Sequence, residues 1–171
     1  RVGNKNKHSS TLEHLFYNFY IKGISRACLQ ELARHRMASL SVKSSRYTLK
    51  ELKHCESFLP LDSINFTRAQ QFLVFCQEPK VNEASVYALE NLRVLLSQGI
   101  SNDLAKFCMP ESYKTELSWS INARSLQNFL SLRSSRSALW EIQNLARAIF
   151  DALPDSHKYI FEHCLQQDTK A

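Results

Sequence analysis

Leu15-Phe16-Tyr17-Asn18-Phe19-Tyr20-Ile21-Lys22-Gly23 is the stretch on which the fold turns. Leu15, Tyr17, Phe19 and Ile21 alternate with Phe16, Asn18, Tyr20 and Lys22, the period of two that belongs to an extended strand. Aromatic residues on both faces favour a sheet, and Gly23 ends the run. Ser25 then offers a helix N-cap, and Cys28, Leu29, Leu32 and Ala33 recur at helical spacing, so a helix is expected from about Ser25 toward Met37. Arg34 to Arg36 fall near its C-terminal end, where the helix dipole favours cations.

Further along, the pattern gives amphipathic helices over 65–77 and 83–96, separated at Pro79 and closed by Gly99. A short helical piece over 103–108 stops before Pro110, and 113–121 alternates loosely enough for a second strand. Helical runs over 123–132, 138–153 and 159–165 follow, with Pro154 as punctuation. No repeat, low-complexity segment or flexible linker interrupts the chain. The expectation is an α+β fold, mixed helices packed on an antiparallel sheet, forming a single domain over 1–171.

Composition narrows the partners. The 171 residues hold 22 Lys plus Arg against 16 Asp plus Glu, a net charge of +6 that favours anionic ligands such as nucleotides, folates or nucleic acids. Five cysteines, Cys28, Cys55, Cys76, Cys108 and Cys164, lie far apart with no Cys-x-x-Cys pair, which points to a reduced intracellular compartment. No stretch reaches the length of a membrane span and the basic start is followed by no apolar segment, so a cytoplasmic protein without a membrane partner is expected. With only Gly3, Gly23 and Gly99, neither a P-loop nor a Gly-x-Gly-x-x-Gly turn can be written. Side chains must hold any nucleotide or cofactor.

Three segments carry chemistry. Arg34-His35-Arg36, seven residues, then Ser44-Ser45-Arg46-Tyr47 gathers guanidiniums, an imidazole and hydroxyls, the groups suited to a phosphate. In Asn122-Ala123-Arg124-Ser125-Leu126-Gln127-Asn128-Phe129-Leu130-Ser131-Leu132-Arg133, helical geometry puts Arg124, Asn128 and Leu132 on one stripe, with Leu126, Phe129 and Leu130 on another. An ordinary amphipathic helix with a solvated polar face would read the same way. His8-Ser9-Ser10-Thr11-Leu12-Glu13-His14 forms a hydroxyl-rich turn before the first strand; its two histidines lack further ligands at a metal-binding spacing, so no metal is expected. Cys28 lies on an apolar helical face and no cysteine has the setting of a nucleophile. His157 and His163 are expected on the surface of a C-terminal helix, and Glu83, Glu90 and Asp103 on solvated helix faces.

The three segments, in this order from His8 to Arg133, closely resemble the motifs of the flavin-dependent thymidylate synthases. The resemblance implies homotetramers with sites at subunit interfaces around FAD, and a reaction in which methylenetetrahydrofolate supplies the methylene, NADPH reduces the flavin and dUMP becomes dTMP. Carried over by position, Arg34, Lys43, Ser44, Ser45, Arg46 and Lys106, with Glu31, match the binding of dUMP. Arg133 matches the catalytic arginine at the pyrimidine, where a guanidinium favours ionisation of N3. His8, Ser10, Arg34, His35, Arg36, Val42, Asn122, Ala123, Arg124 and Asn128 match the cofactor site.

Some positions depart from the family pattern. Ser41 and Val42 stand where Asn and Glu are usual, Lys106 where an Arg is common, Glu31 for a Gln and Ser137 for a frequent His. The chain begins at Arg1 and is expected to lack an N-terminal strand of the family. Two other readings fit part of these data: a basic nucleic-acid-binding domain, which would explain the charge but not the placement of Asn122, Asn128 and Ser10, and a degenerate homologue that binds nucleotide without turnover.

Overall fold

A computed structural model describes residues 8–165. Three strands, β1 (Phe16–Ser25), β2 (Ala38–Val42) and β3 (Lys114–Asn122), form one sheet in the order β1-β3-β2. Ala123 N–H donates to Leu15 O and Arg26 N–H to Tyr113 O, so β1 and β3 run antiparallel. Thr115, Leu117, Trp119 and Ile121 of β3 all point inward, the strict alternation of a sheet with one buried face. In β1 the inward positions pass from Tyr17 and Ile21 to Ile24. Gly23, at φ +79°, absorbs this change of phase, so the strand runs through the glycine to Ser25 instead of ending there.

Among the described residues eight α-helices accompany the sheet: α1 (Arg26–Ala33), α2 (Ser45–Lys53), α3 (Ser63–Ala69), α4 (Pro79–Ser97), α5 (Asn102–Ala105), α6 (Ala123–Arg133), α7 (Trp140–Asp151) and α8 (Asp155–Lys158). The α+β character expected from the sequence is observed. Several boundaries differ from expectation. Helix α1 stops at Ala33, before the basic triplet, and the following stretch, for which no element is expected, contains both β2 and α2. Exposed Ser39, Ser41 and Val42 give β2 almost no apolar alternation, and α2 buries only Leu49 and Leu52, too few to show a helical period. Pro79 starts α4 rather than separating two helices; proline at the first helical position loses no needed hydrogen bond, and the Glu78 carboxylate accepts from Lys80 N–H at 3.2 Å. The helix expected over 65–77 is α3, which ends at Ala69, and the run over 159–165 contains a short 3-10 turn, Glu162–Cys164.

The chain packs as two compact units. One is built, among the described residues, from 8–21, Gln30–Ser41 and 118–165. Its core is aromatic: the Trp119 and Phe129 rings meet edge to face at 5.0 Å, and fully buried Leu32, Leu126 and Leu130 surround them. His157, expected on the surface, is half-buried here, its Nδ1 2.9 Å from the Tyr17 hydroxyl.

The other unit comprises Lys22–Leu29 and Val42–Leu117, with Leu49, Leu52, Phe58, Leu73, Leu89 and Leu92 at its centre. Glu90 is buried within it, not on a solvated face. It accepts from Arg93 Nη2 at 2.7 Å, Ser57 Oγ at 3.0 Å and Phe58 N–H at 3.0 Å. The Arg93 bond, against the cost of burial, holds this carboxyl at about 2, well below its usual range. Cys28 is fully buried as expected, whereas Cys108 is exposed.

Candidate functional site

The turn after α1 and the solvent-facing stripe of α6 build a common cavity within the first unit. Helix α6 starts because Asn122 caps it, its side-chain oxygen accepting from Ser125 N–H at 2.8 Å. Leu126, Phe129 and Leu130 sink into the core, so Arg124, Asn128 and Leu132 project outward, as their spacing implies. At the end of α1, His35 N–H still bonds Leu32 O at 3.1 Å, but the chain has left the helix and Arg34, His35 and Arg36 splay from the turn. The resulting cavity has a volume of about 790 Å³, within the range of small-molecule and cofactor sites. Arg34, His35, Arg36, Arg124, Asn128 and Arg133 line it, with Asn122 beside them.

Arg133 is the best-anchored cation in this wall. Its Nε donates to His35 Nε2 at 2.9 Å, its Nη1 to Glu31 Oε2 at 2.7 Å and its Nη2 to the Glu31 carbonyl at 3.2 Å. The His35 ring lies edge-on to Phe129, centroids 5.0 Å apart. Burial first, then the Arg133 charge, push the His35 pKa below its ordinary value, against the opposing pull of Glu31. A neutral imidazole follows. Because Nε2 accepts from Arg133, the ring proton is assigned to Nδ1. Arg34 approaches the second oxygen of Glu31 at 3.6 Å, and Arg124 lies 3.5 Å from Glu13.

The remaining expected residues sit elsewhere. His8 and Ser10 are exposed on the segment that precedes β1 and do not line the cavity. Ala123 is wholly buried, with its N–H bonded to Leu15 O. Lys43, Ser44, Ser45, Arg46 and Lys106, together with Val42, belong to the second unit. There Ser44 caps α2, accepting from Arg46 N–H at 3.3 Å. Arg46 pairs with Asp103 twice, Nε to Oδ1 at 3.0 Å and Nη2 to Oδ2 at 2.8 Å, and Lys106 Nζ reaches the same carboxylate at 3.4 Å. Asp103, expected on a solvated face, is therefore the shared counter-ion of two candidate phosphate-binding cations. Lys43 pairs with Glu116 at 2.6 Å.

Sequence reasoning missed Glu13, Met37, Gln127, Ser131, His163 and Cys164 as parts of the cavity wall. Gln127 and Ser131 lie in α6 at i+3 and i+7 from Arg124, a signal that helical phase alone could have supplied. His163 and Cys164 come from a distant 3-10 turn that no local pattern connects to α6. Among the described residues, no cluster of His, Cys, Asp or Glu is fit to hold a metal ion, and no helix is long and apolar enough to cross a membrane.

A cavity rich in guanidiniums and amides, backed by an aromatic core, is suited to anionic ligands. A profile of the family described as Thymidylate synthase complementing protein matches residues 1–157. Curated relatives include the flavin-dependent thymidylate synthase of Helicobacter pylori strain J99, 70% identical over 97% of this chain and 80% of that protein. That of Campylobacter jejuni strain RM1221 is 66% identical over 98% of this chain and 80% of its own length. The crystal structure of thymidylate synthase X from Helicobacter pylori with FAD and dUMP superposes with a TM-score of 0.94 at 68% identity, over 98% of this chain and 81% of that one. The chain belongs to the flavin-dependent thymidylate synthase family.

Proposed function

We propose that this chain methylates dUMP at C5 to give dTMP, with FAD as its bound cofactor, methylenetetrahydrofolate as methylene donor and NADPH as reductant. The observation that carries the reading is the convergence of Arg34, His35, Arg36, Asn122, Arg124, Asn128 and Arg133 on one cavity. Four of these are guanidiniums, which suit the pyrophosphate of a dinucleotide cofactor, and two are side-chain amides, which suit the polar edges of a flavin. The residues therefore fit FAD without any glycine-rich loop. Bound FAD supplies the reducing equivalents that turn the transferred methylene into a methyl group.

Arg34, His35, Arg36, Asn122, Arg124 and Asn128 would hold the cofactor, with His8, Ser10, Val42 and Ala123 contributing as the family motifs imply. Arg34, Lys43, Ser44, Ser45, Arg46 and Lys106 would hold the nucleotide, with Glu31 beside them. Arg133 would present its fixed charge to the pyrimidine and stabilise negative charge developing at N3, a task that needs a donor placed in advance. The 171 residues act as one functional domain in the cytoplasm, and four copies assemble into a homotetramer with sites at the subunit interfaces. A solution mass four times that of the chain would test the assembly.

Methylation at C5 expels the C5 proton to solvent. Release of tritium from C5-labelled dUMP, dependent on added folate and NADPH, is the expected result. Binding of dUMP without release would replace this reading with that of a nucleotide-binding homologue. A flavin absorption band that shifts on dUMP addition and bleaches with anaerobic NADPH checks the cofactor separately.

A further inference from the structure

Arg133 ends α6, and its guanidinium has five N–H groups, of which three are committed inside the protein. All three acceptors come from the end of α1 and the turn beyond it. The Glu31 carbonyl is among the last four of α1, acceptors that an α-helix cannot satisfy internally, so Arg133 caps α1 with a cation at the negative end of its dipole. The Glu31 carboxylate adds a charged bond, and the neutral His35 ring fixes the Nε edge. The Arg133 side chain is 17% exposed, and that of Glu31 30%. Rotation of the guanidinium is thereby blocked on two edges, and two N–H groups remain for a ligand.

Both oxygens of Glu31 already face cations, Oε2 toward Arg133 and Oε1 toward Arg34. A carboxylate so placed ties the Arg133 guanidinium to the end of α1 while drawing Arg34 toward its other oxygen. We propose that Glu31 and His35 act on the reaction through Arg133, as positioning residues that lock its guanidinium. This inference rests on the reading of Arg133 as the residue at the pyrimidine.

Two variants test it, Glu31→Ala, which removes the acceptor, and Glu31→Gln, which keeps an oxygen acceptor without the charge. Each is measured for kcat, for KM toward dUMP and, by crystal structure, for the position of the Arg133 guanidinium. Glu31→Ala is expected to displace the guanidinium and lower kcat about 10–100-fold, the scale of a misplaced catalytic group, with any rise in KM for dUMP smaller than the fall in kcat. Glu31→Gln is expected to restore the guanidinium position and most of kcat. A raised KM with unchanged kcat in Glu31→Ala would show that Glu31 serves nucleotide binding and not the placement of Arg133, and would overturn the proposal. So would a guanidinium that stays in place without the carboxylate. A displaced guanidinium with unaltered kcat and KM would instead overturn the assignment of Arg133 to the chemistry and leave the clamp standing.

Discussion

Arg133 and Arg46 each pair with a carboxylate, yet their surroundings are opposite. In the first unit Arg133 meets Glu31 with side-chain exposures of 17% and 30%, and His35 closes the remaining edge. In the second, Arg46 meets Asp103 at exposures of 69% and 47%, and Lys106 shares the carboxylate. A shielded guanidinium with three acceptors keeps one orientation. An exposed one trades its carboxylate for water or for another anion at little cost, because solvent screens the pair. The arrangement suits two different tasks, a fixed charge beside a reacting ring and an exchangeable charge that accepts an incoming phosphate. Burial, and not membership of a particular unit, makes the difference: Glu90 and Arg93 in the second unit form a pair as shielded as that of Arg133.

The strongest way to break this contrast is Arg133→Ala. Loss of a preorganised donor at developing charge costs about 10²–10³ in kcat, and turnover is expected to fall by at least that much in a folded, flavin-binding protein. Unaltered steady-state turnover would remove Arg133 from the chemistry.

Glu90→Ala comes next, read in stability. Leaving the partly exposed Arg93 without its partner and the Phe58 N–H without its acceptor is expected to cost about 1–3 kcal/mol in denaturant unfolding at pH 7. The pH dependence has a definite sign. The Glu90 carboxyl is held at about 2, below its ordinary 4.5, so its contribution is fully present above 4.5 and is lost as pH falls through that value toward about 2. The wild-type midpoint should fall across that window more steeply than that of Glu90→Ala; equal slopes would show that the pair does not stabilise the fold.

Arg46→Ala is expected to raise KM for dUMP about 10–100-fold, the equivalent of a charged hydrogen bond of roughly 1.5–3 kcal/mol, with kcat little changed. An unchanged KM would separate Arg46 from the phosphate. Smallest of all is Asp103→Asn. The exposed pair it removes should leave the unfolding free energy within about 0.5 kcal/mol of wild type, while KM for dUMP falls because Arg46 and Lys106 lose a competing anion. A loss of stability above about 1 kcal/mol would mean that the exposed pair is structural after all.

The sequence carried much of the strand–helix order well, in both units. The period of Leu15 to Lys22, the Asn122 to Arg133 stripe and the apolar runs of α4 and α7 are each buried on one face, and such faces write a period into the chain. The segments missed, β2 and α2, bury little, so their side chains follow solvent and caps more than a core. Family motifs named every guanidinium of the cavity wall, with His35, Asn122 and Asn128, because those side chains sit at fixed steps along α6 or in the turn after α1. They also named residues, such as His8 and Ser10, that the cavity does not include.

By itself, then, the chain determined its chemistry: a cationic balance, three motifs in order, amphipathic faces and the absence of a glycine-rich phosphate loop. Local spacing and side-chain type suffice for these, since each is a property of neighbours along the sequence. Only the tertiary structure decided the partners. That Glu31 and His35, about a hundred residues away in sequence, fix Arg133, that Asp103 neutralises Arg46 and Lys106, and that Glu90 is buried are outcomes of long-range packing. Whether a charge is fixed or exchangeable depends on the solvent and acceptors around it, and those are set by chain segments that no window of sequence brings together.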